Sequence, residues 1–151
     1  LAALLIFITD VFAVGLPVAG GLNLTTSFYW DRTDATRAFT KRFMAAKPKP
    51  PSMLQAATFT GVKHWLACAA KAGTVDAKTV MAAMKATPIN DMNNTGVMIR
   101  ADGRVMCDMY LMRVKTPAES HGPFDVYDLV ATLSGDQAFR PLSEGGCGFV
   151  T

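Results

Sequence analysis

The chain has 151 residues, half of them hydrophobic, with fifteen Lys/Arg against twelve Asp/Glu. That is one domain's worth of core, and too apolar for a disordered segment. Residues 1–75 hold eight basic against three acidic side chains and the rest seven against nine. The excess is scattered without a dense basic stripe, which argues against a nucleic-acid partner.

The opening stretch, LIFITDVFAVGLPVAGGLNLTTSFYWD, is apolar enough to suggest a targeting or membrane segment. No basic residue precedes it, Asp10 interrupts it, and Gly15, Pro17, Gly20 and Gly21 break its second half. Both alternatives need a longer or differently flanked apolar run. Residues 4–8 therefore read as a buried strand whose carboxyl end carries Thr9 and Asp10, and the chain reads as part of something longer. LNLTTSFYW then alternates, with Leu22, Leu24, Thr26 and Phe28 on one face of a second strand expected at 22–28.

Ala35, Phe39, Phe43 and Ala46 follow at helical spacing, giving a helix at 33–46 that KPKPP closes. Ser52 and Gln55 form a capping box for a helix at 53–72, and Gly73 stands just past its end. Asp76 opens a third helix, 76–86. The remainder reads as β: strands at 96–100 and 104–115 joined by a hairpin at Asp102-Gly103, and a further strand at 124–133.

Chemistry is sparse. Cys68, Cys107 and Cys147 have no metal-like spacing. The first two read as packed thiols in a helix and a strand, and Cys147 is a candidate for pairing with a cysteine that this chain lacks. His64 and His121 sit in no catalytic motif, and neither a Walker loop nor HExxH occurs. The sequence thus suggests no catalytic residue, no metal and no cofactor. Binding features are better. Tyr29 and Trp30 follow Phe28 where a strand runs out, so the three aromatics cannot all face one core. Such a wall suits an apolar ligand. Thr9 and Asp10 stand at the expected carboxyl end of a strand, and Phe59 in the early part of the long helix, where free amides favour an anion.

LLIFITDVFAVGLPVAGGLNLTTSFYWD, TRAFTKRF, PSMLQAATFTGVKHWLACAAKAGTVDA and DGRVMCDMYLMRVKTPAESHGPFDVYDLVATLSGDQAFRPL together resemble the C-terminal part of type I periplasmic substrate-binding proteins. The nearest branch is the branched-chain amino acid receptors of ABC importers, which includes binders of aromatic acids. The resemblance implies an α/β fold of two lobes closing on a ligand, with 1–25 in the second lobe, 30–102 in the first and 104–151 returning to the second. It also implies a periplasmic location, a small carboxylate ligand and an ABC permease as partner. Asp10 matches the acidic position that meets a ligand amine, and FTGV stands where the family has a Tyr-Asp-Ala-Val-like helix start. Phe59 thereby keeps an aromatic wall without a hydroxyl. The expected ligand residues are Thr9, Asp10, Tyr29, Trp30 and Phe59. The expected function is solute binding for import. The alternatives are a remnant that no longer binds solute and self-associates as a homodimer, and a regulator's sensory domain.

Overall fold

The computed structural model describes residues 2, 5–146, 148 and 150. The chain divides into two compact units, residues 1–56 with 109–133 and residues 57–108 with 134–151.

The first unit is built on a three-stranded antiparallel sheet in the order β1-β2-β3, comprising Asn23–Thr26, Met109–Val114 and Tyr127–Leu133. Leu24 faces Met112, and Val114 faces Tyr127. The alternation expected for 22–28 holds, since Leu24, Thr26 and Phe28 are buried. The strand itself is shorter, because Thr26 Oγ1 donates to the Phe28 carbonyl at 2.9 Å and turns the chain. Tyr110, Met112 and Val114 point from β2 into a core that includes Ile8, Val11, Leu24, Tyr29 and Tyr127. The β2–β3 register slips between Leu111 and Met112, leaving Val130 as an extra residue in β3.

The strand expected at 4–8 is a correction. Residues 3 and 4 lie outside the described residues, Ala2 bridges Asn23, and Ile8–Val14 is helix α1. Asp10 is the reason. Three residues after Phe7, its carboxylate accepts the Phe7 amide at 2.8 Å, satisfying a donor that a helix start leaves free. Thr9 and Asp10 therefore open a helix instead of ending a strand. Gly15, at φ +79°, stops α1 and admits the short helix α2, Leu16–Ala19, with Pro17 in its first turn.

Helix α3, Asp34–Met44, agrees with expectation, and Thr33 caps it through the Thr36 amide at 3.2 Å. Helix α4 is Met53–Ala72, opened by the Ser52 amide on Gln55 Oε1 at 2.7 Å. The second unit takes most of α4 together with α5, Ala77–Ala86, which Asp76 caps through the Thr79 amide at 2.9 Å. Buried His64 on α4 contacts the Met84 carbonyl at 3.1 Å through Nε2, which must then carry the proton.

The hairpin at Asp102-Gly103 is present. Arg100 N–H meets the Arg104 carbonyl at 2.8 Å, and Gly103 sits at φ +86°. The strand expected at 96–100 shrinks to two isolated bridges, Ile89–Val97 and Ile99–Val105. The one expected at 104–115 is strand only over β2, Met109–Val114, so Cys107 lies in no strand. Side chains compete there with any ladder: Asp91 Oδ1 accepts the Asn93 and Asn94 amides, and Asn90 Oδ1 accepts that of Gly96. After β3 a short helix α6, Gly135–Ala138, packs so closely that a Cβ on Gly135 would stand 2.5 Å from the Met106 carbonyl oxygen. Cys147 lies outside the described residues.

Candidate ligand-binding site

The first unit gathers its aromatics around β3. The Tyr29 ring lies 5.9 Å from Trp30, edge to face, and 5.4 Å from Tyr127. Trp30 Nε1 donates to the Phe124 carbonyl at 3.0 Å, and Phe124 meets Phe12 of α1 edge-on at 5.6 Å. Trp30 therefore has no free donor and offers only apolar surface.

The two tyrosines differ. Tyr29 is 7% exposed and Tyr127 4%, yet neither hydroxyl has a hydrogen-bond partner among the described residues. Buried polar groups are ordinarily satisfied, so two orphans in contacting rings are a departure that needs a cause. Burial pushes both phenols above their ordinary range, and nearby carboxylates add to it, chiefly Asp125 at Tyr29 and Asp10 at Tyr127. The Tyr127 and Val126 amides favour a Tyr29 phenolate, although neither makes a hydrogen bond of ordinary geometry to the hydroxyl. Both groups are neutral donors at physiological pH.

Asp125 is fixed from two sides, by Lys115 Nζ at 2.6 Å and the His121 amide at 2.9 Å. Burial alone would raise its pKa, but these partners hold it below the ordinary value. Arg113 clamps the same loop, reaching Glu119 at 2.8 Å and Asp128 at 2.5 Å.

The structure brings Tyr29 and Trp30 together and sets Asp10 in the field of Tyr127. Asp10 is exposed and caps α1, and Thr9 is exposed beside it. Phe59 belongs to the second unit, 38% exposed on a helix surface that also carries Val62 and Leu66. It lies in the second turn of α4, past the free amides of the first. Tyr127 and Asp125 escaped the sequence reading, since an alternating strand gives no sign that Tyr127 meets a ring 98 positions away. Among the described residues no group of His, Cys, Asp or Glu could hold a metal, and no helix is long and apolar enough to cross a membrane.

A periplasmic binding protein family model matches residues 1–122. The chain belongs to that family. A periplasmic binding protein from Burkholderia mallei is 45% identical with TM-score 0.94, over 98% of this chain and 39% of that one. A branched-chain amino acid ABC transporter periplasmic ligand-binding protein from Burkholderia xenovorans LB400 is 38% identical with TM-score 0.92, over 98% and 40%. The chain thus spans about two fifths of the length of these relatives. A Rhodopseudomonas palustris ABC transporter solute-binding protein in complex with benzoate shares the fold, at 20% identity, TM-score 0.65 and coverage of 81% and 32%. No curated protein matches. The fold is part of a type I periplasmic binding protein, as the sequence led us to expect.

Proposed function

We propose that this chain contributes a ligand wall to a periplasmic solute receptor, which binds a small carboxylate with an apolar or aromatic body and delivers it to an ABC permease. It is read as a binder without catalytic activity. Family membership supports the receptor role. The observation that carries the ligand class is the pair of partnerless hydroxyls of Tyr29 and Tyr127 within an aromatic cluster. Two neutral donors on an apolar wall match a carboxylate joined to a hydrocarbon body. Asp10, near Tyr127, is the proposed reader of an amine, Thr9 beside it is a proposed contributor, and Phe59 is a proposed ligand residue of the second unit.

Benzoate and leucine titrations followed by tryptophan fluorescence and calorimetry test this reading. Tyr127→Phe is expected to leave stability unchanged or higher, because the lost hydroxyl had no partner, while weakening a carboxylate about tenfold, a loss of about 1.4 kcal/mol. Asp10→Asn is expected to weaken leucine and spare benzoate. If neither compound binds the chain, the receptor reading fails for this polypeptide.

A second reading is a self-associating remnant. Leu129 and Val130 on β3, 51% and 54% exposed, favour it. The Val130 bulge interrupts the same strand, and bulges disfavour edge-to-edge pairing. Light scattering that finds a dimer at micromolar concentration would restore this reading.

A further inference from the structure

The second unit contains a depression of about 190 Å³ formed by the hairpin tip and the segment after α6. Arg100, Arg104 and Arg140 line it with one carboxylate, Asp102, and an apolar wall of Phe139 and Leu142. The three arginines are not equivalent. Arg100 is fully engaged: Nε and Nη2 hold Asp102 at 3.0 and 2.8 Å, and Nη1 donates to the Arg140 carbonyl at 3.0 Å. Asp136 adds further negative charge near Arg100. Arg100 is thus a positioning residue, tying the hairpin to the backbone that carries Arg140.

Arg104 and Arg140 are exposed, and among the described residues neither guanidinium meets a carboxylate. Arg104 lies over the Phe139 ring at 4.8 Å. A cation–π contact of this kind holds the guanidinium over the ring without using any of its N–H donors in a hydrogen bond. Two unengaged guanidinium groups offer more donors than a carboxylate's two oxygens accept well, whereas three oxygens and a double charge suit a phosphate. Phe139 and Leu142 supply a surface for an organic substituent, and the volume is below the roughly 300 Å³ at which drug-sized pockets begin.

We propose that this depression binds a small phosphate ester carrying an apolar group, held by Arg104 and Arg140 against the Phe139 wall. The site shares no residue with the proposed carboxylate site, so either can fail alone.

The test is an NMR titration of the arginine Nε–H signals of the folded chain with phenyl phosphate at constant ionic strength. Saturable shifts at Arg104 and Arg140 are expected, with inorganic phosphate binding several-fold more weakly. Arg104→Gln and Arg140→Gln are each expected to weaken phenyl phosphate at least tenfold. Arg104→Lys, which keeps the charge and loses the fork, should also weaken it. Absence of a saturable shift, unchanged affinity in these variants, or tighter binding of benzoate than of phenyl phosphate would overturn the proposal. Binding to phosphatidic acid vesicles without binding to free phenyl phosphate would overturn it as well.

Discussion

The two units are held together by different kinds of interaction. In residues 1–56 with 109–133, distant segments meet: Leu24 faces Met112 across the sheet, and Trp30 reaches Phe124. Lys115 and Arg113 then fasten the loop between β2 and β3 through Asp125, Glu119 and Asp128. In residues 57–108 with 134–151 the polar bonds are mostly local. Asp76 caps its own helix, Asp91 gathers the amides just after it, and Arg100 holds Asp102 two residues on. There α4 leaves Phe59, Val62, Trp65 and Leu66 exposed. A unit organised by long-range burial is vulnerable at its centre. One organised by local bonds is vulnerable where two segments touch.

The largest expected effect tests the first half of that contrast. Met112 is fully buried at the middle of β2, and Met112→Ala should cost about 2–5 kcal/mol in a denaturant titration. Val62→Ala on the exposed α4 surface should stay within about 0.5 kcal/mol. Equal losses would erase the contrast.

Gly135→Ala tests the second half. Its new methyl would press on the Met106 carbonyl 2.5 Å away, so a loss of about 1–3 kcal/mol is expected. Amide exchange should place that loss in the second unit. Acceleration confined to β1–β3 would contradict the division.

The smallest effect is a pH dependence of the first unit. Arg113, helped by the Thr116 amide and hydroxyl, holds Glu119 at about 2, below its ordinary 4.5. A carboxylate lowered in the folded state stabilises above its unfolded pKa. That contribution is lost as pH falls from about 4.5 toward 2. Glu119→Gln should therefore lower stability slightly at neutral pH and flatten the acid limb in that window. The pair is partly exposed, so added salt should shrink the difference.

Helices were the most legible part of the sequence because their ends carry chemistry. Ser52 with Gln55, Asp76 and the prolines after α3 each mark a boundary through a bond made or forbidden nearby. The apolar residues before Thr9 carried no such mark, and a short apolar run fits a strand as well as a helix. Asp10 decided it by capping α1. Residues 96–108 failed for the opposite reason: apolar alternation was present, but among the described residues only the isolated bridges Ile89–Val97 and Ile99–Val105 formed there. Of the candidate site, Tyr29 and Trp30 stood out as adjacent aromatics at a strand end. Their partners did not, because Tyr127 and Phe124 join them only once the sheet has closed.

The hydrogen bond from Trp30 to Phe124 spans 94 residues, whereas the His64–Met84 contact spans 20. Closing the longer loop costs about 1.4 kcal/mol more in chain entropy, if both are treated as flexible. On the ribosome the difference becomes one of order. Helices α4 and α5 can pair soon after residue 86 emerges, while β1 must wait for β2 and β3, which are not complete until Leu133. During that interval Leu24, Phe28 and Tyr29 have no sheet to cover them. The sheet of the first unit closes only at Leu133, long after α4 and α5 have formed, which leaves its aromatic cluster open to aggregation or to a chaperone until then.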